Sequence, residues 1–121
     1  MNTLGELERA VMEILWQRTE PMAVRDVARA LAERDLAYTT VMTVLDRLAK
    51  KGFVHRHLEG RAWHYRPAES RESYVAQLML EALSLTDDRA AALTQFARSV
   101  SGPESEVLSE ALARKRRKRK K

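Results

Sequence analysis

At 121 residues the chain has room for one domain's core and little more. It contains no cysteine, which excludes a disulfide framework and a thiolate metal site, and no apolar run reaches the 18 residues of a membrane span. The formal net charge of +5 is unevenly distributed: residues 114–121 are all Arg or Lys and carry +8, so residues 1–113 sum to −3. Within that body, residues 39–66 hold six basic side chains against two acidic ones, whereas residues 68–113 hold three against eight. A polyanion would therefore be met by the middle of the chain and by its end, and repelled by the stretch between them. The opening residues lack the basic-then-apolar order of a signal peptide, so a cytoplasmic protein without membrane insertion is expected.

Thr3 and Glu6 have the spacing of a capping box, and Leu4, Leu7, Val11, Ile14 and Leu15 recur at helical intervals, predicting a first helix to about Arg18. Pro21 breaks the chain. Val24, Val27, Ala28 and Leu31 repeat the pattern for a second helix ending near Glu33. A polar connector leads to Thr39 and Thr40, either of which suits an N-cap. Val41, Val44, Leu45 and Leu48 then form a third apolar stripe, closed by Gly52. The period changes to two over Phe53 to Leu58 and Trp63 to Pro67, with Glu59-Gly60-Arg61-Ala62 as the reversal.

Helix is resumed over residues 70–113. Ser70 suits an N-cap before Val75, Leu78, Met79, Ala82 and Leu83. Asp87 or Asp88 opens a helix carrying Leu93, Phe96, Ala97 and Val100, and Pro103 marks the start of a last one with Val107, Leu108, Ala111 and Leu112. The expected fold is mainly α with a small β-hairpin: a winged helix-turn-helix over residues 1–68, a helical dimerisation region over 69–113 and a disordered basic tail over 114–121.

On the third helix Thr40, Thr43, Arg47, Lys50 and Lys51 lie opposite the apolar stripe, with Thr39 beside them at the helix start. Short hydroxyls near the N-terminal end and longer cations further on suit a helix that reads duplex DNA from the major groove. The bland alternative is a solvated helix face, and Asp46 lies close to it. The hairpin favours the nucleic-acid reading, because Gly60 allows a tight tip from which Arg61 can enter a minor groove. Alternation sends Trp63 and Tyr65 to one face, where they can cover the core, and His64 and Arg66 to the other. His55, His57 and His64 all lie in the hairpin, but no carboxylate or cysteine is evidently placed with them, so solvated or phosphate-facing roles are expected and no metal. There is no glycine-rich phosphate loop, nucleophile elbow or His-Glu-x-x-His, which argues for a binder without a cofactor and against an enzyme.

The C-terminal apolar residues Tyr74, Val75, Leu78, Met79, Leu80, Leu83, Leu93, Phe96 and Leu108 exceed what one copy is expected to cover. A homodimer about a two-fold axis would bury them and present two recognition helices to a palindrome. Packing back onto the first helix is the alternative.

Several segments resemble the penicillinase-repressor family (the BlaI/MecI group). They are Leu7-Glu8-x-x-Val11-Met12 with Trp16, Tyr38-Thr39-Thr40-Val41-Met42-Thr43-Val44-Leu45-x-Arg47-Leu48-x-Lys50-Lys51-Gly52, and Gly60-Arg61-x-x-x-Tyr65-x-Pro67. The resemblance implies a winged-helix homodimer repressing operators of dyad symmetry, dimerised through its C-terminal helices. It also implies a membrane sensor-protease pathway that inactivates the repressor by cutting there. The family's Leu-x-Leu-Asn-Phe-Val cleavage segment corresponds to Ala92-Leu93-Thr94-Gln95-Phe96-Ala97, which makes Gln95 and Phe96 the candidate cleavage position, with Gln95 in place of asparagine. Copper-sensing relatives use C-terminal cysteines, which this chain lacks, and the basic tail lies outside the family pattern. Two other classes stay open: a winged-helix protein-interaction module, and a nonspecific DNA-compacting protein driven by the tail.

Overall fold

The computed structural model describes residues 3–119, which form two compact units meeting at Met79 and Leu80. The first unit opens with helix α1 (Glu6–Gln17). Its start is held by Glu8, whose carboxylate accepts the Gly5 N–H at 2.9 Å, and not by the expected Thr3–Glu6 pair. The N-cap is Gly5, two residues later than that pair requires, so Glu8 is the residue able to reach back.

After Pro21 the chain forms a two-residue strand, β1 (Met22–Ala23), which the sequence does not announce because two residues carry no periodicity. Helix α2 (Val24–Ala30) stops earlier than expected, and a 3₁₀ turn over Ala32–Arg34 takes up the remainder. Asp35 closes that turn in the left-handed region (φ 50°), a conformation aspartate tolerates through its short polar side chain.

Helix α3 (Tyr38–Lys51) is capped at Ala37, so Thr39 and Thr40 sit inside its first turn and neither is the cap. It ends as expected at Gly52 (φ 84°), with the Phe53 N–H donating to Leu48 O at 3.0 Å. Strands β2 (Val54–Glu59) and β3 (Ala62–Pro67) make the hairpin, turning at Gly60 (φ 65°). The sheet is antiparallel in the order β1-β3-β2, with Met22 opposite Tyr65 and Arg56 opposite Tyr65 on the other side.

The core is built from Val11, Met12 and Leu15 of α1, Val24 and Val27 of α2, and Val41, Val44, Leu45 and Leu48 of α3, closed by Met22, Leu31, Val54 and Tyr65. Tyr65 is 2% exposed, but Trp63, expected to cover the core with it, is 42% exposed. One same-face step nearer the tip, Trp63 is paired with the exposed Leu58, and the Arg56 guanidinium lies 4.5 Å above its ring.

Helix α4 (Arg71–Ala82) begins in this unit, which therefore extends beyond the expected boundary at residue 68. Ser70 caps it, accepting the Ser73 N–H at 3.1 Å. Tyr74 packs between Trp16 and Phe53, with ring centroids 5.7 and 5.8 Å away, and its hydroxyl accepts the Leu4 N–H. Trp16 Nε1 donates to Glu69 O at 3.0 Å, and Arg71 pairs with Glu13 at 2.6 Å. Tyr74 is thus covered within its own chain, against the expectation that it needs a second copy.

The second unit holds a 3₁₀ turn (Leu83–Leu85), helix α5 (Arg89–Ser99) and helix α6 (Gly102–Arg119). Asp88 caps α5 through the Ala91 N–H at 3.0 Å. At the start of α6, Ser101 and Glu104 exchange both capping hydrogen bonds, at 3.0 and 3.3 Å. The Ser101 N–H, with the Ser101 hydroxyl beside it, holds the Glu104 carboxyl below its ordinary value.

Residues 114–119, expected as disordered tail, continue α6 instead; Lys120 and Lys121 lie outside the described residues. Arg and Lys are good helix formers, and here they occupy the negative end of the helix dipole, with Arg114 paired one turn back to Glu110.

Candidate nucleic-acid interface

The outer face of α3 follows from its core stripe. Burying Val41, Val44, Leu45 and Leu48 turns Thr39, Thr43, Arg47 and Lys50 to solvent, with Thr40 half-buried at the margin. Thr39, Thr40, Thr43 and Arg47 line one shallow depression together with Leu7 and Val44. Thr43 Oγ1 donates to Thr39 O at 2.9 Å, which fixes the hydroxyl and leaves its lone pairs free to accept. The Arg47 guanidinium forms no ion pair among the described residues. Lys50 reaches Asp46, 3.2 Å away and one turn back, and its side chain stays largely in solvent.

Lys51, grouped with these cations on sequence grounds, is directed elsewhere. Its Nζ lies 3.0 and 2.9 Å from the two carboxylate oxygens of Glu8, a residue only 5% exposed. The spacing holds the reason: Lys51 is three residues past Leu48 and seven past Val44, at the edge of the core stripe. Glu8 likewise lies four residues past Leu4 and seven before Leu15, on the inward face of α1. Burial pushes the Glu8 carboxyl up, but the Gly5 N–H, the Lys51 ammonium and the more distant Arg47 charge together hold it below its ordinary value. Glu8 therefore remains charged and ties the last turn of α3 to the first turn of α1.

Asp46 is the second acidic residue that sequence reasoning left without a role. It forms an ion pair with Lys50 and accepts, at 3.4 Å, from Arg56 of β2, so it bridges the exposed helix to the wing. Arg56 is in turn stacked on Trp63, giving the wing a defined position beside α3. At the wing tip Arg61 is exposed next to Gly60. On the opposite hairpin face His57 and His64 are directly paired and stacked, 5.8 Å between ring centroids. Glu59 Oε2 lies 3.8 Å from His57 Nε2 and 3.6 Å from His64 Nε2, so the hairpin does bring a carboxylate to the histidines. Among the described residues no group of three or more His, Asp or Glu side chains is placed to hold a metal ion.

The remaining sequence-predicted residues lie on the C-terminal helices. Val75, Met79, Leu93, Phe96 and Leu108 are exposed, whereas Leu78 and Leu83 are half-buried. Gln95 and Phe96 fall in the middle of α5, where Gln95 O accepts the Ser99 hydroxyl and Phe96 O accepts the Val100 N–H.

A model of the penicillinase repressor family matches residues 4–114. The transcriptional regulator BlaI of Mycobacterium tuberculosis (strain CDC 1551 / Oshkosh) is 52% identical over 117 residues, covering 93% of this chain and 85% of that protein. Among solved structures, the DNA-binding domain of the repressor BlaI superposes with a TM-score of 0.54 at 28% identity, covering 60% of this chain and 89% of that one. The monomeric form of Bacillus licheniformis BlaI, solved in complex with the blaP half-operator, gives a TM-score of 0.50 at 29% identity, covering 60% of this chain and 88% of that one. No helix among the described residues is long and apolar enough to cross a membrane.

Proposed function

This chain belongs to the penicillinase-repressor family, and from that premise we propose that it is a cytoplasmic transcriptional repressor binding operator DNA of dyad symmetry as a homodimer. The observation that carries the reading is the outer face of α3. Thr39, Thr40, Thr43 and an Arg47 without an ion-pair partner share one depression, on a helix whose far end is fixed by the Glu8–Lys51 pair. Arg47 reads a guanine edge, the threonines contact bases or phosphate near the helix start, and Lys50 and Arg61 contact phosphate and minor groove. Lys51 supports this surface from behind.

The dimeric part of the proposal rests on two supports. Leu93, Phe96 and Leu108 stand exposed on α5 and α6, and Val75 and Met79 on α4, with Leu78 and Leu83 partly covered. The B. licheniformis relative was solved as a monomer on a half-operator, the arrangement a two-fold dimer would repeat. Relief of repression acts on the same helices, by a membrane sensor-protease pathway cutting at Gln95-Phe96. That position lies inside α5, and a protease needs extended backbone, so cutting there requires local unwinding of the helix.

The test begins with protection mapping across the source genome to obtain an operator. Arg47→Ala should then weaken operator binding by about 1–3 kcal/mol and relax preference at one base pair per half-site. Equal losses on the operator and on a scrambled duplex would reduce Arg47 to a phosphate contact and remove it from sequence reading.

A further inference from the structure

The C-terminal end of α6 has no task in the reading above. The family match stops at residue 114, where an unbroken run of arginine and lysine begins. Residues 114–119 continue the helix without a change of backbone and are all exposed. Arg114 pairs with Glu110, and residues 115–119 form no ion pair among the described residues.

Helix capping does not account for them. The negative end of a helix dipole is worth roughly half an elementary charge, which one or two cations satisfy. Nor is the segment built for a bilayer surface: an interfacial helix needs an apolar face, and from residue 114 onward there is no apolar side chain. What remains is a dense array of cations on a rigid element, joined to a stretch of opposite sign. Such an array is complementary to a polyanion with closely spaced charges.

We infer that the basic end of α6 is a second, sequence-independent binding element for duplex DNA, engaging phosphates while α3 reads the operator. The inference rests on the DNA-binding reading of this chain but uses none of the residues that carry it. The helical form limits how many cations act at once. At about 100° per residue, Arg114, Lys115, Arg117 and Lys118 share an arc of roughly 160°, with Arg119 about 40° beyond its edge and Arg116 on the opposite side. About four phosphate contacts per copy are therefore available, where an extended tail would offer twice that number.

The experiment compares the full chain, a truncation after Ala113, and a full-length Lys115→Gln, Arg117→Gln, Lys118→Gln variant that retains the helix. Each is titrated against the mapped operator and a scrambled duplex of equal length over a range of salt. Each phosphate contact contributes about 0.9 to the slope of log K against log salt, so truncation should flatten the slope by about 3–4 per bound copy. The triple variant, which removes three of the four cations, should flatten it by about 2–3. The ratio of operator to scrambled affinity should be unchanged in both.

An unaltered slope would overturn the inference, as would a collapse of the ratio, which would make the segment a sequence reader. Tighter binding after truncation would also overturn it, by showing that the cations neutralise the acidic stretch of residues 68–113 instead. Loss of binding to phosphatidylserine vesicles with an unaltered slope would assign the segment to membranes. Failure of the full chain to prefer its operator would sink the repressor reading alone, because the slope difference is measured on scrambled duplex as well.

Discussion

The winged unit and the helices that follow it use their apolar side chains in opposite ways. In the first, every buried apolar residue falls between Val11 and Tyr65, and three helices and a small sheet close on them completely. In the second, α5 and α6 bury nothing, while Leu93, Phe96, Val107, Leu108 and Leu112 stand exposed. A closed core is stable at any protein concentration. An open apolar face gains its stability by mass action, so the proposed dimer makes operator occupancy a function of how much repressor the cell holds.

The largest expected effect breaks the open half. Phe96→Asp places a charge in the proposed interface, where it cannot be paired. We expect monomers by ultracentrifugation and a loss of about 10²–10⁴-fold in operator affinity, because two half-sites no longer act together. A variant that stays dimeric with wild-type affinity would show that α5 does not form the interface.

Next comes the closed half. Leu45 is fully buried at the centre of α3, and Leu45→Ala should cost about 2–5 kcal/mol in urea unfolding of the full chain followed by circular dichroism. That loss should be the same at low and high protein concentration. A concentration-dependent loss would mean that the winged unit also draws stability from the dimer.

The smallest effect concerns the polar contact inside the closed half. Glu8→Gln removes the charge that holds Lys51 and should cost about 1–3 kcal/mol, less than a fully buried pair because Lys51 keeps solvent contact. The Glu8 carboxyl titrates below its ordinary value in the folded chain, so on acidification the unfolded chain takes up that proton first. Its contribution is complete above the ordinary carboxylate range and disappears as pH falls through the lowered value. Urea midpoints measured from about pH 7 to about pH 3 should fall less steeply for Glu8→Gln than for the parent chain. Parallel curves would place the acid sensitivity elsewhere.

Much of this arrangement is legible in the sequence, for physical reasons that also explain what is not. Three stripes at helical spacing and one switch to period two define α1, α2, α3 and the hairpin, because each element must turn a full face to the core. The face bearing Thr39, Thr43, Arg47 and Lys50 follows from the same rule. Lys51 and Glu8 escape it: each lies near an apolar stripe but carries a charge, and only their meeting across two helices shows that burial is offset by pairing. Asp46 reads as a flaw in a basic surface until the hairpin register brings Arg56 to it. Strand β1 is too short to have a period. The helical state of residues 114–119 contradicts a compositional rule about charge runs, because α6 was already nucleated upstream and the added residues only propagate it.

The two indoles of the chain occupy contrasting settings. Trp16 is held at the junction of α1 and α4 by its hydrogen bond to Glu69 O and its contact with Tyr74, while Trp63 lies on the exposed wing beneath Arg56. Their emission should therefore differ in colour and in access to quenchers. A ligand that draws Arg56 toward phosphate would perturb the wing signal alone, and a loosened α4 would perturb the other. With Trp16→Phe and Trp63→Phe as single-fluorophore versions, the protein carries separate optical readouts of the wing and of the α1–α4 junction without any added dye.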